Sequence, residues 1–391
     1  MERKIYLDNA STTYVSEEVM AEMMPCFNSV YGNAGSLHGL GRDAMAIVDK
    51  ARDRVKDAIH ASKPGEIYFT SGGSEANNWA IMGVARANAN KGKHIITSQI
   101  EHDSVLNACR YLETQGFEVT YLPVDSTGLV NIAELLHAIK KETILISVMS
   151  VNNEVGTIQN IKTIAKIAHD YGILFHTDAV QAIGHLKMDV QDMEIDLMSM
   201  SAHKIHGPKG VGALYVKNGV TIDPLICGGE DQERGLRGGT ENVPGIAGFG
   251  KAIEIATRNI AVTNKKLKDI REYFIQKLTE KVQFIQINGH PHQKSQAILN
   301  VSFYGVEGES ILMLLDLANV CVSTSSACTS KSLLPSHVLK AMNVPDDIAQ
   351  SSIRFSFGTN ISKSDVDYVV DELAKIVTKL RAISPIQAGR I

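Results

Sequence analysis

Ile67-Tyr68-Phe69-Thr70-Ser71-Gly72-Gly73-Ser74-Glu75 compresses a short apolar strand, a two-glycine turn and the opening of a helix into nine residues. Glycine lets the backbone approach a ligand closely, and a helix start presents unpaired N–H groups and the positive end of a dipole. Such a turn suits a phosphate. It also reads as an ordinary strand-to-helix connection with Ser74 as N-cap, and the stretch alone leaves both open. Outward from it, the alternation repeats. Residues 43–60 carry apolar side chains at 44, 47, 48, 51, 55 and 58, a helical period. The helix opened at Ser71–Glu75 runs to about Ala89. Strands are expected at His94–Ser98, 117–122, Thr143–Ser150, 173–177, 195–200 and 211–216, with helices at 103–115, 131–140 and 160–171. Strands separated by helices of this length imply a mostly parallel sheet covered on both faces.

After Gly235–Gly239 the texture changes. A long helical stretch over 244–281 leads to strand 297–303, helix 309–318, strand 319–323, a Ser-rich loop, helix 335–342, strand 351–357 and helix 364–382. These read as a second, smaller α+β domain, with the first few residues of the chain packing against it.

The 391 residues leave room for two or three domains at about 150 each. Apolar residues make up 44% and charged residues 21%, which excludes a disordered chain or a disulfide-stapled miniprotein. The net charge of −4 gives no global positive field to draw the chain to nucleic acid or an anionic membrane. Its apolar runs fall far short of the roughly 18 residues that span a bilayer. Residues Met1 to Asp8 reach acidic and turn residues too soon for a signal peptide. The five cysteines, Cys26, Cys109, Cys227, Cys321 and Cys328, are odd in number and lack C-x-x-C spacing. That argues against a zinc site or a disulfide framework and suits free thiols in a reducing cytoplasm.

Three further segments carry chemistry. Asp178, in His176-Thr177-Asp178-Ala179-Val180-Gln181, falls at the carboxyl end of a strand, where α/β proteins bind ligands; it reads equally as a helix N-cap. Lys204 follows a β-rich run in Ser199-Met200-Ser201-Ala202-His203-Lys204. There it reads either as a Schiff-base lysine or as a solvated surface lysine. An anion-binding helix start, a carboxylate and a lysine in one crevice are the parts of a pyridoxal phosphate site. A dinucleotide site fits less well, since neither G-x-G-x-x-G nor a P-loop occurs. Cys328 stands in the polar run Ser323–Lys331, a reactive or an incidental thiol. Arg354 alternates with apolar residues in Ser352-Ile353-Arg354-Phe355-Ser356, so an anionic partner is expected, either protein or ligand.

The chain resembles the cysteine desulfurases of the NifS/IscS type, class V members of the fold-type I pyridoxal phosphate superfamily. The resemblance runs nearly end to end. It is carried by Tyr6–Thr13, Tyr31-Gly32-Asn33, Ser36-Leu37-His38, Thr70–Asn78, Glu101-His102, Val151–Gly156, His176–Gln181, Ser201–Lys204, Glu233–Thr240, the Cys328 loop and Pro335–Leu339. It implies an α/β fold in two parts. The large cofactor-binding domain, with a mostly parallel seven-stranded sheet, would span 15–258, and the smaller α+β domain 1–14 and 259–391. Lys204 would carry pyridoxal 5'-phosphate and remove the Cα proton. Asp178 would pair with the pyridine nitrogen, Gln181 with the ring hydroxyl, and His102 would stack on the ring and serve in proton transfer. Gly73, Ser74, Ser201 and His203 would hold the phosphate, joined by Thr240 from a second subunit of a homodimer. Asn153 would lie near ring and substrate, Arg354 would bind the substrate carboxylate, and Cys328 would attack the sulfur of L-cysteine. The products would be alanine and a Cys328 persulfide, passed to an iron–sulfur scaffold or another sulfur-acceptor protein. The loop length resembles the scaffold-assembly subgroup.

Three departures stand out: Ala34-Gly35 where the family usually has Pro-Ser, Gly73-Ser74 for Ala-Thr, and Gly238 for Ser. Cys321 is expected in a strand and inert. Competing readings are a selenocysteine lyase, a class V aminotransferase, or a non-catalytic scaffold that kept the fold. The thiol at Cys328 disfavours a plain aminotransferase, and intact Lys204, Asp178 and His102 disfavour the scaffold.

Overall fold

The computed structural model describes residues 4–324 and 335–384. Its central sheet has seven strands. In spatial order they are Ile67–Thr70, Gly212–Val216, Leu197–Ser201, Leu174–Asp178, Thr143–Ser147, His94–Ser98 and Glu118–Leu122. All neighbours pair in parallel except Gly212–Val216, which runs antiparallel to both of its partners. Reversing one strand twice leaves Ile67–Thr70 pointing the same way as the parallel set. The ends at Thr70, Ser98, Ser147, Asp178 and Ser201 therefore share one edge.

Both faces are covered. Helix Gly73–Ala87 buries Trp79, Ile81 and Val84 on one face, together with Val105, Cys109 and Leu112 of Asp103–Thr114. On the other face, Gly39–Ala58 packs Ala44, Val48, Ala51 and Val55 against Val243–Arg258. The inner strands of the sheet are buried along nearly their whole length, as strands covered on both faces are, with polar residues such as Ser147, Asp178 and Ser201 at the shared edge.

A separate core forms around Ile298–Phe303, the middle of a four-stranded antiparallel sheet with Ser323–Thr324, Ser352–Ser356 and Ile285–Asn288. Helices Ile260–Lys281 and Lys363–Ile383 supply Phe274, Leu278, Val369 and Leu373 to it. The chain start joins this core: Ile5–Tyr6 pairs in parallel with Val320–Cys321, and Leu7 is buried there.

Three expectations need correction. The helix over 244–281 is two helices, broken at Asn259. The break lets the first half pack on the large sheet's covering helices and the second half on the other core. The strand over 319–323 divides between two sheets, Val320–Cys321 and Ser323–Thr324. Gly72, not Ser74, is the N-cap of Gly73–Ala87, at φ 150, where a side chain is strained. Helices Glu17–Met23 and Asp346–Gln350 and the edge strand Ile285–Asn288 were not anticipated.

Candidate active site

At the shared strand edge lies a cleft of about 350 Å³. Gly73, Ser74, His102, Asn153, Asp178, Gln181, Ser201, His203, Lys204 and Arg354 all line it. They come from five strand ends and from the antiparallel sheet of the second core. Thr240 is exposed and outside the cleft. Cys328 lies outside the described residues.

One end of the cleft is built for an anion. The helix Gly73–Ala87 starts there with no side-chain cap, so its first N–H groups face the cavity. Ser201, the last residue of its strand, has a buried hydroxyl without a partner among the described residues. Gly73 is close-packed: a Cβ there would stand 2.7 Å from Val180 Cγ2. His203 shares a hydrogen bond between Nδ1 and Thr12 Oγ1 at 3.1 Å. Burial, with Lys204 and Lys209 adding, pushes its imidazole down to about 4, so it is neutral near pH 7.

Asp178, which also lines the cleft, is buried. Its Oδ1 accepts from the Val180 N–H at 2.9 Å and its Oδ2 from Asn77 Nδ2 at 2.7 Å. Beneath it, His176 bridges Ser147 Oγ at 2.8 Å and Ser199 Oγ at 3.0 Å, tying three strands together. Burial drives this imidazole down to about 3.

His102 is the N-cap of Asp103–Thr114, and its Nδ1 accepts from the Ser104 N–H at 3.1 Å. The neighbouring Glu101 is wholly buried. Its Oε1 accepts from Ser98 Oγ at 2.6 Å and from the Met149 N–H at 2.9 Å, while Oε2 has no partner among the described residues. Burial raises the carboxyl to about 8 despite those donors, and the charge of Asp178 adds to the rise.

Lys204 ends a single turn of 3₁₀ helix, Ala202–Lys204, directly after its strand. Its Nζ donates to the carbonyls of Ala10 at 2.5 Å and Ser11 at 2.8 Å. Gln181 Nε2 donates to the same Ala10 carbonyl at 2.9 Å. The N-terminal segment thus closes one side of the cleft. The buried Arg354 donates to Asp8 Oδ1 at 2.9 Å, Ser11 Oγ at 2.6 Å and the Asn153 carbonyl at 3.0 Å. Its anionic partner in the structure is therefore Asp8, while its Nε is buried without a partner among the described residues.

Sequence reading gave no role to Asn77, Glu101, Glu154 and Ser336, although each lies in a stretch that carries the resemblance, and it did not mark Ser104. Asn77 lies four residues after Gly73, hence on the same helix face, a spacing that could have flagged it. Ser336 caps the helix His337–Ala341 and hydrogen-bonds the buried Glu154, while His337 Nε2 meets the Glu101 carbonyl at 3.0 Å. No sequence signal marks these contacts, because the partners lie 182 and 236 positions apart. Cys321 ends a two-residue strand, and burial raises its thiol. Among the described residues, no group of three or more His, Cys, Asp and Glu side chains could hold a metal ion.

An anion-ready helix start, a carboxylate and a lysine within one cleft suit a phosphorylated, ring-bearing group, and the comparisons agree. The Aminotransferase class-V family matches residues 5–369. The chain is 50% identical over 385 residues to the cysteine desulfurase IscS of Dictyoglomus turgidum, covering 98% of this chain and 97% of that one. A solved NifS-like protein superposes with a TM-score of 0.91 at 38% identity, over 96% of this chain and 100% of its own. A second solved structure, SspA in complex with cysteine, gives a TM-score of 0.82 at 37% identity, over 91% of this chain and 99% of its own. The chain belongs to the class V aminotransferase family, within its cysteine desulfurase branch.

Proposed function

We propose that this protein is a pyridoxal 5'-phosphate-dependent cysteine desulfurase that converts L-cysteine to alanine and hands the sulfur to an acceptor protein. The observation that carries the reading is the cleft itself, where Lys204, Asp178 and the unpartnered Ser201 hydroxyl beside an uncapped helix start meet. The residues fit the cofactor. Gly73, Ser74, Ser201 and His203 would hold its phosphate, with Thr240 of the partner subunit. Asp178 would hold its ring nitrogen, Gln181 its hydroxyl and Lys204 its aldehyde carbon. When bound, the cofactor supplies an electron-withdrawing ring that makes the substrate Cα acidic.

The chain's own groups do the rest. The Lys204 amine takes the Cα proton once substrate has displaced it. Asn153 and Arg354 orient the cysteine carboxylate; the unpartnered Arg354 Nε offers a donor for it. The Cys328 thiolate bonds to the substrate sulfur as the Cβ–S bond breaks. The electron pair of that bond stays on carbon, which is protonated on the way to alanine. The persulfide then passes to an iron–sulfur scaffold or another sulfur-acceptor protein.

The partition into 15–258 and 1–14 with 259–391 belongs to the same proposal, supported by Leu7 and Phe274 sharing one core. A cytoplasmic location is supported by Cys26, Cys109, Cys227 and Cys321, all free thiols.

The test is alanine and sulfide release from L-cysteine with a reductant. Lys204→Ala should abolish both products. Cys328→Ala should lose sulfur release while still binding cysteine. Normal turnover of cysteine by Cys328→Ala would overturn the persulfide route.

A further inference from the structure

A chain of hydrogen bonds links Asp178 to His102, and its direction is set at the Asp178 end. Both Asp178 oxygens accept from N–H donors, at 2.7 and 2.9 Å. A carboxylate only accepts, so the Asn77 amide must turn its nitrogen toward Asp178. Flipping that amide would set two oxygens 2.7 Å apart. The second hydrogen on the same Nδ2 goes to Ser104 Oγ at 2.9 Å. Ser104 Oγ is thereby an acceptor from Asn77, and its single hydrogen is left for His102 Nδ1, 2.8 Å away. The Ser104 backbone N–H reaches the same Nδ1 at 3.1 Å. A ring nitrogen that meets two donors must present its lone pair. Nδ1 is unprotonated, and the neutral ring carries its hydrogen on Nε2.

We propose that Asn77 and Ser104 are positioning residues that hold His102 in the Nε2–H tautomer, so that His102 meets substrate as a hydrogen-bond donor rather than as a base. The proposal rests on the desulfurase reading for the identity of that substrate. In this tautomer the lone pair of His102 is turned inward to Ser104. The ring has no vacant nitrogen with which to strip a proton in the cleft. That work falls to the Lys204 amine, while the His102 N–H steadies a developing anion such as the cysteine thiolate.

The test is the ring-nitrogen NMR shifts of His102 in histidine-labelled protein at neutral pH, assigned with His102→Gln and read first without cofactor or substrate. Wild type should show an unprotonated Nδ1 and a protonated Nε2. Ser104→Ala keeps the backbone donor and loses the hydroxyl, so the ratio of Nε2–H to Nδ1–H tautomers should fall about fivefold, the worth of one hydrogen bond. Ser104→Thr should restore it, which a merely structural role for Ser104 does not require. A proton on Nδ1 in wild type overturns the proposal, and so does a ratio unmoved in Ser104→Ala. If the variant fails to fold, the wild-type spectrum alone decides. The desulfurase reading fails separately, by the absence of alanine from cysteine, which these spectra do not measure.

Discussion

Glu101 sits wholly out of water one residue before His102 and keeps its proton to about pH 8. In the unfolded chain its carboxyl ionises near 4.5. Between those values the unfolded state binds fewer protons than the native state, so stability falls as pH rises. Glu101→Gln removes that slope. Relative to wild type, it should gain stability from pH 4.5 to 8, of the order of a few kcal/mol, measured as denaturant midpoints across that range. A parallel pair of curves would refute it. His176 and His185 act on the acid limb. Burial lowers them to about 3 and about 4, from 6.5. As pH drops below 6.5, the unfolded state takes up protons that the native state refuses, and stability declines toward pH 3. His176→Asn, with its charge change gone, should flatten that acid limb in the same measurement. Of these residues, Glu101 and His176 lie in stretches marked by the sequence and His185 does not. Their protonation follows from burial, which no local pattern encodes.

Two elements pack so closely that a methyl group is felt. Helix Val243–Arg258 crosses Gly39–Ala58 at Gly250, where a Cβ would lie 2.7 Å from Ala51 Cα. Gly250→Ala should therefore destabilise by about 1–3 kcal/mol despite alanine's better helix propensity, seen as a lower urea midpoint with unchanged slope. The loop that leads to Thr240 is pinned by Arg52 of helix Gly39–Ala58. Arg52 forms two 2.8 Å bonds to Glu233, and Glu233 and Arg234 hold φ of 42 and 57. Arg52→Ala leaves the buried Glu233 carboxylate with only Arg234, at 3.9 Å, at a cost of about 3 kcal/mol in the same unfolding assay. Strand and helix positions of the large sheet were legible from the alternation of short strand-like runs with segments of helical period, a signal carried by consecutive residues. Ile285–Asn288 escaped notice because it is a four-residue edge strand with one buried residue. Asn259 escaped because helical periodicity continues through it while the core being covered changes.

At the scale of the molecule, a homodimer is the arrangement that would bring Thr240 to a neighbour's cleft. Phe27, Tyr31 and Leu37, exposed by 60%, 67% and 92%, fall within one short stretch and would supply an apolar surface for the proposed dimer. Sedimentation should give a dimer, and Leu37→Asp with Tyr31→Asp should shift it toward monomer with loss of activity. A fully active monomer would defeat the reading. By itself the sequence determined the α/β class, the strand ends at Asp178 and just before Lys204, and the strand–turn–helix at Gly73. Those features are written in periodicity and turn chemistry over a few consecutive residues. The tertiary structure alone decided that Asp8 meets Arg354 from 346 positions away, that the Ala10 carbonyl receives both Lys204 and Gln181, and that Asn77 joins Asp178 to Ser104. Hydrogen bonds and desolvation depend on which surfaces the fold brings together, and distance along the chain carries no trace of that.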